Sequence, residues 1–210
     1  MLKEYKSLRK NAQKEIVIEK STFIGTAQMI ENEEQALEFI QAMKKKYYDA
    51  THNVYAYVLG DDNNIQRFSD DGEPSGTAGI PVLEVLKKND LRNICIVVTR
   101  YFGGIKLGKG GLVRAYGKGA VAALEASEII WRRLYQVVEV NVDYTLLGMM
   151  QNQLKLAEYQ VKNIRYDEMV HLEVYVLDSK TADFQNKVID WCSGKADLKI
   201  IAEEYLIEEC

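Results

Sequence analysis

The chain has 210 residues, of which 47% are hydrophobic and 28% charged, and this composition excludes disordered and fibrous proteins. It contains neither a signal peptide nor a run of about 18 apolar residues, so we predict a cytoplasmic protein with no membrane contact. The net charge of −4 is uneven, because residues 1–134 carry 20 basic and 17 acidic residues whereas residues 135–210 carry 7 and 14.

The first part of the chain, residues 1–130, has the pattern of an α+β domain. Alternation of Ile16 and Ile18 with polar residues predicts a strand or hairpin that turns at Gly25. Asn32 is placed to cap a helix that ends at three lysines, residues 44–46. We predict strands next at residues 51–59 and 65–68, followed by a helix at residues 78–88, a strand at residues 94–98 and a helix that ends at residue 126. The order β-α-β-β-α-β-α predicts a two-layer sandwich.

The second part, residues 135–210, restarts the pattern. We predict strands at residues 135–144, 160–166, 169–177 and 198–207, and helices at residues 145–157 and 181–192. The order β-α-β-β-α-β is that of a ferredoxin-like domain. The sequence therefore predicts two α+β domains, and only the first has a positive charge balance.

The glycine-rich basic stretch from Arg100 to Gly119 is the strongest functional signal. Seven of its twenty residues are glycine, and no Asp or Glu occurs in residues 91–124. The order strand, glycine loop, helix places free backbone N–H groups and a helix dipole where they attract anions, above all phosphate. We therefore predict a nucleic-acid or phosphate site. Its residues would be Arg100, Gly103, Gly104, Lys106, Gly108, Lys109, Gly110, Arg114 and Lys118.

This stretch has two other interpretations. Residues 103–110 approach the phosphate loop of nucleotide hydrolases, but Gly110 stands where a Ser or Thr would hold magnesium, so we reject that interpretation. Alternatively, the glycines form a tight crossover and the lysines are merely solvated. The absence of acidic residues over residues 91–124 favours a binding site.

A second unusual segment, residues 69–86, contains both prolines of the chain. Near its start lie the acidic residues Asp70, Asp71 and Glu73, and the cations that could pair with them are Arg67, Arg100 and Lys106. The acids either bind a divalent cation or act as acid and base, or they form a turn and pair with those cations, which we favour. Ser75 and Thr77 either contact phosphate or cap the helix that begins near Ala78, and we favour capping.

Nothing in the sequence predicts a metal site or a cofactor. His52 and His171 lie far apart without a Cys or His at ligand spacing, and the three cysteines form no CxxC pair. We assign no catalytic residue and favour a protein that is not an enzyme. The aromatic residues Tyr101, Phe102 and Tyr116 either stack on bases or pack the loop onto the sheet.

Two long motifs together resemble a known family. SDDGEPSGTAGIPVLEVL at residues 69–86 and VVTRYFGGIKLGKGGLVRAYGKGA at residues 97–120 resemble the YigZ/IMPACT family, and the resemblance covers essentially the whole chain. It implies a first domain similar to domain 2 of ribosomal protein S5 and domain IV of elongation factor G, and a second domain similar to domain V of that factor. Eukaryotic members are regarded as translation regulators that bind the activator of an initiation-factor kinase, so the resemblance implies a role in translation.

These observations predict an RNA- or ribosome-binding protein. In this hypothesis the basic loop contacts phosphates, and the acidic second domain orients it or contacts a protein partner. One alternative is an enzyme that binds a small phosphate metabolite with the same loop and uses Asp71 or Glu73 as acid or base. A second alternative is a protein-docking module without nucleic acid.

Overall fold

The structure is a computed structural model that describes residues 2–209. These residues form two compact units, one of Tyr5–Trp131 with the chain end from Ile207, and one of Arg132–Leu206 with Leu2–Glu4. Helices and sheets occur in both, which confirms the α+β class. None of the helices in residues 2–209 is long and apolar enough to cross a membrane.

The first unit contains an antiparallel sheet and three helices. Its strands are β1 (Glu4–Leu8), β2 (Ala12–Ile18), β3 (Ser21–Met29), β4 (His52–Leu59), β5 (Ile65–Ser69) and β6 (Ile94–Tyr101). Its helices are α1 (Glu33–Lys46), α2 (Gly79–Lys88) and α3 (Lys109–Ser127). Five strands form a sheet in the order β2-β3-β6-β4-β5. The predicted elements are present, and β1 is a strand that the sequence did not predict.

Alternate residues of β4 bury opposite faces of this sheet. Val54, Ala56 and Val58 pack in one core with residues of α2 and α3. Tyr57 and Leu59 pack in a second core with residues of α1. The strand period of two accounts for this alternation. Helices therefore cover both faces, and α1 forms a layer beyond the two that we predicted.

The predicted turn at Gly25 is wrong. The chain turns instead at Glu19 and Lys20, whose φ angles are 46° and 61°. Gly25 lies within β3, opposite Val98 of β6. A Cβ atom on Gly25 would lie 2.1 Å from the carbonyl oxygen of Gly119 in α3. Glycine at this position allows the helix to approach the sheet closely.

The second unit has the predicted ferredoxin-like order. Its elements are β7 (Ile129–Val142), α4 (Leu147–Leu156), β8 (Gln160–Tyr166), β9 (Val170–Leu177), α5 (Thr181–Trp191) and β10 (Asp197–Glu209). Among these strands, β7 pairs with β10 and with β9, and β9 pairs with β8, which gives the order β10-β7-β9-β8. Val138, Val140 and Leu172 bury one face of this sheet against α4 and α5. β7 begins before the predicted start at residue 135.

Gly25→Ala tests the close approach of β3 and α3. The added methyl group would meet a backbone oxygen, so we expect the free energy of unfolding to fall by about 3 kcal/mol, as in overpacked cores. Gly148→Ala in α4 is the matched control, because no atom lies within 4 Å of its Cβ position. Urea denaturation measures both variants. Wild-type stability in Gly25→Ala would contradict this packing.

Candidate nucleic-acid interface

The loop between β6 and α3 ends at a helix N-terminus without a side-chain cap. β6 ends at Tyr101, α3 begins at Lys109, and the N-cap residue is Gly108. The carbonyl oxygen of Gly108 accepts hydrogen bonds from the N–H groups of Gly111 (2.8 Å) and Leu112 (3.0 Å). The first turn of α3 contains no acidic residue. The positive end of its dipole therefore has no counter-charge in the first turn of the helix.

Exposed cations lie in this loop and along α3: Lys106, Lys109, Arg114 and Lys118. None of these side chains has an ion pair within residues 2–209. Arg114 and Lys118 are four residues apart and are therefore neighbours on the helix surface. The structure thus leaves these predicted site residues available to an anion.

Arg100, unlike these four cations, is buried. It is only 5% exposed, and its Nη1 donates to Oε1 of Glu73 over 2.6 Å. Its guanidinium lies 5.5 Å from the ring centre of Phe23 and 5.6 Å from that of Phe102, and Nη2 lies 3.4 Å from Oγ of Ser21. The predicted pairing of an acid from residues 69–86 with Arg100 is confirmed. Burial conflicts with our prediction that Arg100 contacts phosphate directly.

Tyr116 of α3 is fully buried next to the same carboxylate. Its hydroxyl donates to Oε1 of Glu73 over 2.8 Å, and its ring packs edge-on against Phe23 with 5.3 Å between the ring centres. Burial, reinforced by the negative charge of Glu73, raises the pKa of the Tyr116 phenol. The packing interpretation of Tyr116 is confirmed. One carboxylate oxygen joins the end of β6, through Arg100, to a residue two turns into α3.

Two glycines of the loop are required by the backbone. A Cβ atom on Gly103 would lie 1.9 Å from the carbonyl oxygen of Lys20, and the N–H of Gly103 donates to Oγ of Ser21 over 3.2 Å. Gly104 has a φ angle of 88°, in the left-handed region that favours glycine. A Cβ atom on Gly108 would meet no atom within 4 Å. The packing of the chain therefore explains Gly103 and Gly104 but not Gly108.

Asp70 closes the turn that precedes α2. Its carboxylate accepts hydrogen bonds from the N–H groups of Gly76 (2.8 Å), Ala78 (3.0 Å) and Gly79 (2.8 Å). The predicted turn is present, since the N–H of Glu73 donates to the carbonyl oxygen of Asp70. A charged carboxylate that accepts several N–H groups at a helix start is a strong cap.

The predicted capping of α2 by Ser75 or Thr77 is wrong. The N-cap residue of α2 is Ala78, which has no side-chain cap, and Asp70 takes that role from eight residues away. The hydroxyl of Thr77 donates instead to the carbonyl oxygen of Pro74 over 2.6 Å. Thr77 is buried and Ser75 is exposed, so only Ser75 could still contact a ligand at the surface.

Asp71 joins the same turn to α1 and β4. Its carboxylate accepts from Nζ of Lys44 over 2.7 Å and from the N–H of Asn53 over 2.6 Å. Its carbonyl oxygen lies 2.7 Å from Nδ1 of His52, and Nε2 of that ring lies 3.9 Å from Oε1 of Glu73. Sequence reasoning missed these contacts, and the pair His52-Asn53 at a strand start was the only available signal.

Arg67, which we also predicted as a partner of these acids, contacts other residues. Its Nε is 3.9 Å from Oε1 of Glu33, and its Nη1 donates to the carbonyl oxygen of Gln66. Lys106 pairs with no acid in the described part of the chain. The acids of residues 69–86 are thus held by internal partners, and no group of three or more His, Cys, Asp or Glu within residues 2–209 is arranged to hold a metal ion.

Comparison with known proteins covers both units. A model of the Impact N-terminal domain matches residues 19–124, and a model of a domain of unknown function (DUF1949) matches residues 140–195. The IMPACT family member YvyE of Bacillus subtilis is 47% identical over 199 residues, which are 95% of this chain and 92% of the relative. The IMPACT family member YigZ of Escherichia coli is 36% identical over 190 residues, which are 89% of this chain and 92% of that relative.

A solved structure is also similar over the whole chain. It is described as the crystal structure of a hypothetical protein, and it is 32% identical with a TM-score of 0.61. The match covers 96% of this chain and 99% of that one. Similarity at this coverage extends to both units.

Glu73→Gln tests the carboxylate beneath the loop. The amide keeps the shape but leaves the buried Arg100 guanidinium without a counter-charge, so we expect the free energy of unfolding to fall by about 3–5 kcal/mol. Glu84→Gln is the control, because Glu84 forms an ion pair with Lys87 on the exposed surface of α2 and such pairs contribute little. Urea denaturation compares the variants. A loss no larger than that of the control would refute the role of Glu73.

Tyr116→Phe should reduce the loss of stability at alkaline pH. The pKa of Tyr116 is raised in the folded chain, whereas the unfolded chain releases this proton near the ordinary value of about 10. Above that pH the folded chain binds more protons, so stability falls as pH rises. Unfolding measured at about pH 8 and about pH 11 should show a smaller decline for Tyr116→Phe than for the exposed control Tyr48→Phe. Equal declines would contradict the burial of a protonated phenol.

Proposed function

The chain belongs to the IMPACT family, and from this premise we propose that it is a non-catalytic RNA- or ribosome-binding protein of the cytoplasm. In this proposal the glycine-rich loop and the start of α3 contact phosphate groups. The role in translation that the family resemblance implies is part of the same proposal.

The observation that carries the proposal is a set of exposed cations without acidic partners. Lys106, Lys109, Arg114 and Lys118 have no ion pair within residues 2–209, and no Asp or Glu occurs in residues 91–124. In a chain with net charge −4, surface lysines and arginines ordinarily lie close to acidic residues. A region that excludes them creates a local positive field, which attracts polyanions.

The start of α3 supports the same proposal. Lys109 is the first residue of the helix, where a positive side chain repels the helix dipole. Neither an acidic residue in the first turn nor a side-chain cap offsets this repulsion. A phosphate bound at the helix start would offset it, because the free N–H groups and the lysine both favour an anion.

Exposed and buried parts of the loop have different roles in this proposal. Phe102 is 47% exposed, so its ring is available to stack on a base, a contact that tolerates any sequence. Arg100 and Tyr116 lie beneath the loop and hold its two ends. We therefore place the phosphate contacts on the exposed cations and on the free N–H groups at the start of α3, and not on Arg100, and we expect little sequence preference.

The salt dependence of RNA binding tests this proposal. For the full chain and a labelled single-stranded RNA, the slope of log K against log salt should be about −3, as expected for four phosphate contacts. The double variant Lys106→Glu/Lys109→Glu should bind more weakly to all sequences and roughly halve this slope, because two contacts are lost. Fluorescence anisotropy at several salt concentrations measures both quantities.

The matched control reverses two exposed lysines of the second unit, Lys155→Glu/Lys199→Glu. It changes the net charge equally and should leave the slope unchanged. An equal loss of affinity in both double variants would indicate a general charge effect and would refute a site on the loop. Absence of RNA binding, with thermal stabilisation by a nucleotide or phosphate metabolite, would favour the enzyme alternative instead.

A further inference from the structure

A groove of about 590 Å³ lies between β2, α2 and α3 of the first unit. Its walls include the aliphatic side chains of Ile16 and Ile18 from β2, Val85 from α2 and Val121 from α3. Val121 is 41% exposed. The groove is therefore an apolar surface that the described part of the chain leaves open.

Gly117, in the middle of α3, lines this groove. A Cβ atom on Gly117 would meet no atom within 4 Å, whereas Gly25 and Gly119 fill a close contact between strand and helix. Glycine in the interior of a helix is destabilising relative to alanine. Packing within the chain does not account for Gly117, but the approach of an external backbone to the groove would.

The free edge of β2 opens into the same groove. β2 is the first strand of the sheet order β2-β3-β6-β4-β5, so its outer edge pairs with no strand of that sheet. Val17 is 65% exposed and lines the groove together with its neighbours Ile16 and Ile18. Consecutive strand residues point to opposite faces, so the groove wraps around the edge. Exposed strand edges are templates for pairing with another chain.

The charges at the groove indicate what kind of chain it would accept. Arg114 and Lys118 line it without ion pairs in residues 2–209, whereas Lys14 is paired with Glu125. The unpaired charge of the groove is therefore positive. A second copy of this chain would bring the same cations into contact, which is unfavourable. An acidic segment would satisfy them.

We propose that this groove binds an extended acidic segment of a partner protein, which adds as a strand to the edge of β2. Main-chain hydrogen bonds to β2 would supply affinity, and aliphatic side chains of the segment would fill the wall beside Gly117. Its carboxylates would pair with Arg114 and Lys118. This docking site goes beyond the proposed RNA contacts: it shares Arg114 and Lys118 with them but needs neither Lys106 nor Lys109.

A synthetic peptide with the repeat Val-Val-Glu-Glu, which places both residue types on each face of an extended chain, is the probe for the full chain. It should bind saturably, and N-methylation of alternate residues should abolish binding because it removes one edge of main-chain N–H groups. Gly117→Leu should weaken binding at least about tenfold, because the leucine fills the groove, without lowering the melting temperature. Gly148→Leu in α4 is the matched control, since its Cβ position is equally open, and it should bind as wild type.

Several outcomes would overturn the docking site. These are no saturable binding up to about 1 mM peptide, equal binding of the N-methylated peptide, or equal affinity of Gly117→Leu and Gly148→Leu. Gly117→Ala repeats the test with the smallest side chain should the leucine variant fail to fold. RNA binding measured on the same variants separates the two proposals, because Gly117→Leu should retain RNA binding whereas Lys106→Glu/Lys109→Glu should retain peptide binding.

Discussion

The buried carboxylate of Glu73 is the contact on which the basic loop depends. One of its oxygens accepts from Arg100 at the end of β6 and from Tyr116 in α3, so both ends of the glycine-rich loop are tied to one atom. A buried ion pair is tolerated when its geometry is good and further hydrogen bonds satisfy it. The guanidinium here also contacts the ring of Phe23. A loop rich in glycine thereby acquires a defined position between strand and helix.

The carboxylates of residues 70–73 bind partners within the chain, and the basic loop therefore keeps its positive charge. Asp70 binds three N–H groups at the start of α2, Asp71 binds Lys44, and Glu73 binds Arg100. Carboxylates held in this way do not neutralise the cations of the loop. A chain with net charge −4 consequently presents one region with a positive field, and that field is the basis of the proposed RNA contacts. The groove beside β2 extends the same positive region, but with aliphatic walls that suit a peptide.

The sequence predicted the strands and helices well, but it predicted contacts between distant residues less well. Alternating apolar residues and helix caps located most strands and helices, because these signals are local. The role of Gly25 depends on Gly119, a residue far along the chain, so local turn signals misplaced it. Composition likewise could not separate Arg100 from the exposed cations, because its burial depends on contacts with Glu73, Phe23 and Ser21, which lie far from it in the sequence. Capping by Asp70 across eight residues lay outside the usual capping patterns.

Ultraviolet cross-linking in the cells that express the protein tests the central claim most directly, because it identifies the bound RNA and the attached peptide together. The account predicts cross-links to RNA, including ribosomal RNA fragments, at peptides that contain residues 101–118, with Phe102 as the expected attachment point. Cross-links confined to the second unit, or a protein recovered without RNA, would contradict it.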